Sequence, residues 1–191
     1  PIQAAENLVD ATQSADAYME TSSALKISMM NISKIANDLR LMSSGPRAGF
    51  GEITVPAKQP GSSIMPGKVN PVILEVVNQV AFQVAGNDTT ISMAAEAGQF
   101  ELNVMEPVLV YNLQQSIRAM TKVLETLRVD CIEGIQAKEE VCQAYVDNSV
   151  GIITALNPHV GYETASKVAK EALETGTKIR DILLRDKILP E

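Results

Sequence analysis

The sequence predicts an all-α protein: a bundle of long helices followed by a small C-terminal helical domain. Three observations carry this. From Ala4 to Ser43 there is neither Gly nor Pro, and a seven-residue repeat runs Ala4, Ala11, Tyr18, Leu25, Ile32, Leu39. Further on, Leu113, Ile117, Met120, Leu124, Leu127 and Cys131 alternate four and three apart. Finally, Trp is absent and aromatics make up 4%, so the core falls to Leu, Ile, Val, Ala and eight Met. That palette suits close helix-on-helix packing. A chain of 191 residues suffices for one large domain.

The elements follow in order. The first is one long helix from Ala4 to about Ser43, with Ile35 and Met42 beside its apolar track and small residues (Thr21, Ser22, Ser23, Ala24) where another helix can approach. Gly45-Pro46 stops it. Residues 45–71 then hold five of the nine prolines and five of the eleven glycines. Such a length without periodicity is a functional loop or a solvated linker. Asn70-Pro71 reads as an N-cap followed by Pro at the first helical position. The helix after it reaches about Ala97 and is apolar on most sides, as a buried helix is. Glu75, Asn78, Gln79, Gln83, Asn87 and Asp88 form a polar stripe along it. A third helix spans about Pro107 to Ile132. Shorter helices follow near 138–147, 149–156, 162–174 and 177–185, with turns at Asn157-Pro158, Gly161 and Gly176. The division is therefore a partial bundle domain over 1–133 and a small helical domain over 134–191. Three long helices leave faces that other segments or subunits must cover.

Composition excludes several classes of function. The net charge of −7 argues against general nucleic-acid binding, which needs clustered Lys and Arg. No apolar run is long enough to span a membrane, and no signal peptide is visible. Two lone cysteines, Cys131 and Cys142, fit a reducing, cytoplasmic setting. One histidine, His159, rules out a His-rich metal centre within the chain. His159 lies in a turn, where a structural role outweighs catalysis.

The exception to the acidic balance is the loop. Residues 45–71 carry Arg47, Lys58 and Lys68 against Glu52, a local charge of +2. Within it, Gly61-Ser62-Ser63-Ile64-Met65-Pro66-Gly67-Lys68-Val69-Asn70-Pro71 places two hydroxyls after a Gly, a lysine six residues beyond Ser62, and an asparagine where a helix begins. Backbone amides and an ammonium make an anion site. In that field Ser62 can serve as base or nucleophile. A capped turn of purely structural role has the same residues. Glu75, one turn into an apolar helix, needs a cationic or hydrogen-bonding partner unless it faces water.

The loop from Gly61 to Pro71 resembles the signature of the aspartase/fumarase superfamily, with every fixed position present. Lys34-Ile35-Ala36-Asn37-Asp38-Leu39-Arg40 and Ser44-Gly45-Pro46-Arg47 are similar to the same family. Ala95-Glu96-Ala97-Gly98-Gln99-Phe100-Glu101-Leu102-Asn103-Val104-Met105-Glu106-Pro107 resembles its aspartase branch. The resemblance implies reversible deamination of L-aspartate to fumarate and ammonia. Ser62 would be the base that removes the C3 proton, giving an enediolate. Lys68 and Asn70 would hold substrate carboxylate, and Ser63 and Met65 would line the loop. Glu75 would be the helix carboxylate that pairs with a histidine from another region. No cofactor is implied; a divalent cation activates some members, but no ligand set is visible here. The family's homotetramer, with active sites shared between subunits, fits the uncovered helix faces. The resemblance also implies a C-terminal-half fragment, inactive alone, because the segments bearing the partner histidine have no counterpart. Class II fumarate hydratase, a non-catalytic helical assembly module and a Ser-Lys hydrolase are the alternatives.

Overall fold

The computed structural model describes residues 2–188. The chain is all-α, with a pair of two-residue strands as its only sheet among the described residues. It divides into two compact units, Pro1–Gln136 and Ala137–Glu191.

The first unit is three long helices. They are preceded by a short one, α1 (Leu8–Gln13), and followed by a 3₁₀ turn at Ile132–Gly134. Helix α2 covers Asp16–Met42, α3 Val72–Glu96 and α4 Glu106–Asp130. The single helix expected from Ala4 is thus broken at Ser14-Ala15. Asn7 caps α1 through its side-chain oxygen, and α1 buries no residue. Ser14 is extended, and Ala15 turns in to join Ile91, Ala94 and Leu109 in a buried cluster. Burial of Ala15 outweighs continuous helix in an exposed segment rich in polar residues.

Helix α3 is the centre, packed against both α2 and α4. The main core joins Met29 and Ala36 of α2, Leu74, Val77, Ala81 and Val84 of α3, and Met120 and Val123 of α4. The buried tracks are rotated from the expected heptad seams. On α2 they are Ser22, Met29, Ser33 and Ala36, with Leu25, Ile32 and Leu39 on the flank and Ile35 exposed. On α4 they are Leu109, Asn112, Ser116, Met120 and Val123, while Ile117 is exposed. The reason is polar. Asn78, Asn87 and Asp88 of α3 are buried. A buried polar group without a partner costs about 1–3 kcal/mol, so the neighbouring helices turn small hydrogen-bonding residues toward them.

Each partner is specific. The Asn78 amide donates to the Ser33 hydroxyl at 2.8 Å and the Ser33 carbonyl at 3.1 Å, and its oxygen accepts from Arg40 at 3.0 Å. The Asn87 amide donates to Ser116, Gln115 and the Asn112 carbonyl. The Asp88 carboxylate pairs with Lys26 and accepts from Ser23. At the far end, Asn103 ties two helices together. Its amide donates to the carbonyls of Ala94 and Ala95, and its oxygen accepts from the Met105 N–H. Much of the outer surface stays open in the single chain, including Val76, Phe82 and Met93 of α3.

Between α2 and α3, the strand β1 (Ile53–Thr54) pairs with β2 (Gln136–Ala137). The second unit comprises α5 (Glu139–Asn148), α6 (Ile152–Val160), α7 (Tyr162–Thr175) and α8 (Ile179–Arg185). Val168, Ala172, Ile179, Ile182 and Leu183 form its core. The turn expected at Asn157-Pro158 is instead helical, since Pro158 lies within α6. The missing N–H falls two residues from the helix end, and Gly161 (φ 79°) closes the helix by donating to the Asn157 carbonyl. Gly176 (φ 68°) ends α7 in the left-handed region that favours glycine.

Asn78→Ala should cost about 2–3 kcal/mol, because it strands the buried Ser33 groups and releases Arg40; the shift in urea midpoint measures it. A second expectation concerns acid. Burial alone would raise the Asp88 pKa, but hydrogen bonds from Lys26, Ser22 and Ser23 reverse the sign and hold it below the ordinary carboxylate value. Its contribution is therefore present above about pH 4 and is lost as pH falls through the lower folded value. Urea titrations of the native chain and Asp88→Asn should differ at pH 7, and the difference should shrink below about pH 4.

Candidate functional site

The loop that carries the candidate residues has two limbs of different character. The first, residues 53–58, is fastened to the end of α4. Beyond the β1 pairing, Lys58 forms an ion pair with Asp130 at 2.7 Å. Pro56 also lies against Gly134, where a Cβ would stand 2.5 Å from the Pro56 Cγ. The second limb is a pinched loop. Pro60 and Val69 form a bridge, and the Gly61 N–H donates to the Lys68 carbonyl at 2.8 Å. Gly61 has to be glycine here, since a Cβ would sit 2.5 Å from the Lys68 oxygen. Gly67 turns the chain with φ 79°.

Asn70 departs from its expected role. Pro71 occupies the cap position of α3, without a side-chain cap bond. The Asn70 amide instead donates to the Gly61 carbonyl at 3.0 Å. One of its two N–H groups thus closes the neck of the loop.

Ser62, Met65 and Lys68 line one open cleft of roughly 450 Å³, together with Lys58 and Gln59. Ser63 is exposed on the same loop, and Asn70 sits at its neck. The Ser62 hydroxyl accepts a hydrogen bond from the Ile64 N–H at 3.2 Å. A donor aimed at this oxygen stabilises it when it carries negative charge. The Lys68 side chain has no hydrogen bond or ion pair among the described residues. It therefore offers an ammonium to the cleft that Ser62 also lines.

Glu75 lies in the first turn of α3, half-buried, with Arg40 Nη2 at 3.9 Å from its Oε1. Arg40 is the partner that sequence reading missed. The signal was present: Arg40 is in the last turn of a helix that the loop returns antiparallel to α3, so the two ends meet. His159 is exposed in the last turn of α6. Cys131 is buried, and burial pushes its thiol pKa up, which makes it unreactive. Among the described residues no three His, Cys, Asp or Glu side chains converge as a metal site. No described helix is long and apolar enough to cross a membrane.

Comparison with known proteins bears on this arrangement. Residues 1–86 match the family model described as Lyase, and residues 152–191 the one described as Fumarase C C-terminus. A crystal structure of a fumarate lyase/delta crystallin from Brucella melitensis superposes with a TM-score of 0.92 at 49% identity, over 97% of this chain and 40% of that one. A class II fumarase from Schistosoma mansoni superposes at 0.91 with 36% identity, over 98% of this chain and 39% of that one. The helical fold, the loop and these matches define one class: the chain belongs to the aspartase/fumarase superfamily. Within it, an aspartate ammonia-lyase from a Bacillus species is 64% identical over all 191 residues. The chain spans about 41% of that relative's length.

Gly61→Ala should open the neck of the loop, because its Cβ cannot coexist with the Lys68 carbonyl. Faster hydrogen exchange at the Gly61 amide position and at Lys68, with α3 amides unchanged, is the expected result.

Proposed function

We propose that this chain supplies the base-bearing loop of an ammonia-lyase that interconverts L-aspartate with fumarate and ammonia. The observation that carries this is the hydrogen bond from the Ile64 N–H to the Ser62 oxygen, in a cleft shared with the free Lys68 ammonium. The 64% identity to an aspartate ammonia-lyase, against 36% to a class II fumarase, favours ammonia over water as the leaving group.

In this reading Ser62, as alkoxide, takes the proton from C3 of aspartate and becomes a neutral hydroxyl. The C–H electron pair moves into the adjacent carboxylate, giving an enediolate with two negative charges. Lys68 and the remaining N–H of Asn70 face those charges, and preorganised donors are worth most where charge develops. The enediolate electrons then form the C2–C3 double bond. The C–N pair leaves with nitrogen, whose three hydrogens make it ammonia. Ser63 and Met65 shape the loop over the substrate. Glu75, held by Arg40, supports the site from the start of α3. The substrate's second carboxylate is the electron sink, so this scheme routes no step through a cofactor.

The whole protein's activity needs more than this chain, which lacks counterparts to most of its relatives' length. The open faces of the three-helix unit support assembly into a homotetramer. The chain alone forms no fumarate in this proposal. Joined to the preceding segments of the Bacillus relative, it should form fumarate from aspartate, read by absorbance, and not from malate. Ser62→Ala in the joined protein should lower kcat on the order of 10³-fold. Turnover of malate would reassign the reaction to a hydratase, and an active Ser62→Ala would remove the serine from the mechanism.

A further inference from the structure

The cleft beside Ser62 holds a second cation that the mechanism does not use. Lys58 and Lys68 both line it, and no acidic side chain does. The two lysines are presented differently. Lys68 rides on the pinched loop without a partner among the described residues. Lys58 projects from the fastened limb and is held by Asp130 at 2.7 Å, outside the cleft lining. That pair is only half-buried, with side-chain exposures of 37% and 41%. Ion pairs this exposed are weak and exchange readily with a competing anion. A dicarboxylate brings two charges, and one free ammonium answers only one of them.

We propose that Lys58 is a second cationic ligand of the cleft. It exchanges Asp130 for the carboxylate of the dicarboxylate that Lys68 does not hold. This rests on the reading of the cleft as a dicarboxylate site. It adds a specificity device: the fastened limb fixes one ammonium while the loop brings the other, so two carboxylates are preferred to one. Asp130 holds the Lys58 ammonium until the anion arrives.

The test is calorimetric titration of the protein joined to the preceding segments of the Bacillus relative with succinate, an unreactive dicarboxylate, and with acetate. Lys58→Gln should weaken succinate binding roughly tenfold, the loss of one charge-assisted hydrogen bond, and leave acetate unchanged. Lys58→Arg should retain it. Asp130→Asn should strengthen succinate binding about twofold by freeing Lys58. Both Lys58→Gln and Asp130→Asn break the same ion pair, so a merely structural pair would move affinity in one direction; ligation moves it in opposite directions. Succinate binding that responds to Lys68→Gln but to neither of those two variants overturns the role of Lys58 and leaves the cleft assignment standing. Absence of succinate binding, or binding indifferent to Lys68→Gln, overturns both.

Discussion

The constraint on which the rest depends is the set of polar groups buried along α3. Apolar surfaces can slide over one another at small cost, but an amide or carboxylate out of water needs its partner at one position. Asn78 demands Ser33 and Arg40, Asn87 demands Ser116, and Asp88 demands Lys26. These pairs act at two heights on the α2 side and at one on the α4 side. Together they fix the register and rotation of all three helices. Asn103 then locks the connection between α3 and α4.

Register at α3 sets the site. Because Asn78 takes Arg40, the last turn of α2 lies beside the first turn of α3, and Glu75 acquires a cation. The same alignment determines where the loop must leave and return. Its two limbs divide the work. One is fastened through β1, Pro56 and Lys58 to the end of α4. The other is closed on itself by Gly61 and Asn70.

Charge follows the same division. The chain is acidic, yet the charged side chains that line its cleft, Lys58 and Lys68, are both ammonium groups. In a chain of net charge −7, a patch with two lysines and no carboxylate is a local positive field. Asp130 stands at the edge of this field, close enough to hold Lys58 and weakly enough to release it.

Sequence alone determined that the protein is helical, where most helices lie, and which long segment between them stands apart in composition and charge. Those follow from local physics: missing Gly and Pro, apolar spacing, and an eleven-residue run of unusual composition. It did not reveal which side of each helix is buried. The heptad seam of α4 placed Ile117 inward and Ile35 lay beside the seam of α2, yet both are exposed; Ser22, Ser33, Asn112 and Ser116 occupy the interior, because their burial depends on polar partners distant in sequence, as Asn78 is from Ser33 by 45 residues. Nor did it show that Ala15 would break a helix, that Asn70 would close a loop rather than cap α3, or that Pro158 would sit inside one. Lys58 counted only toward the charge of the loop, and Arg40 only within a family-like stretch, until folding set Asp130 and Glu75 against them. Local propensity is written in neighbouring residues, whereas hydrogen-bond satisfaction in a core is settled only by what the chain brings together.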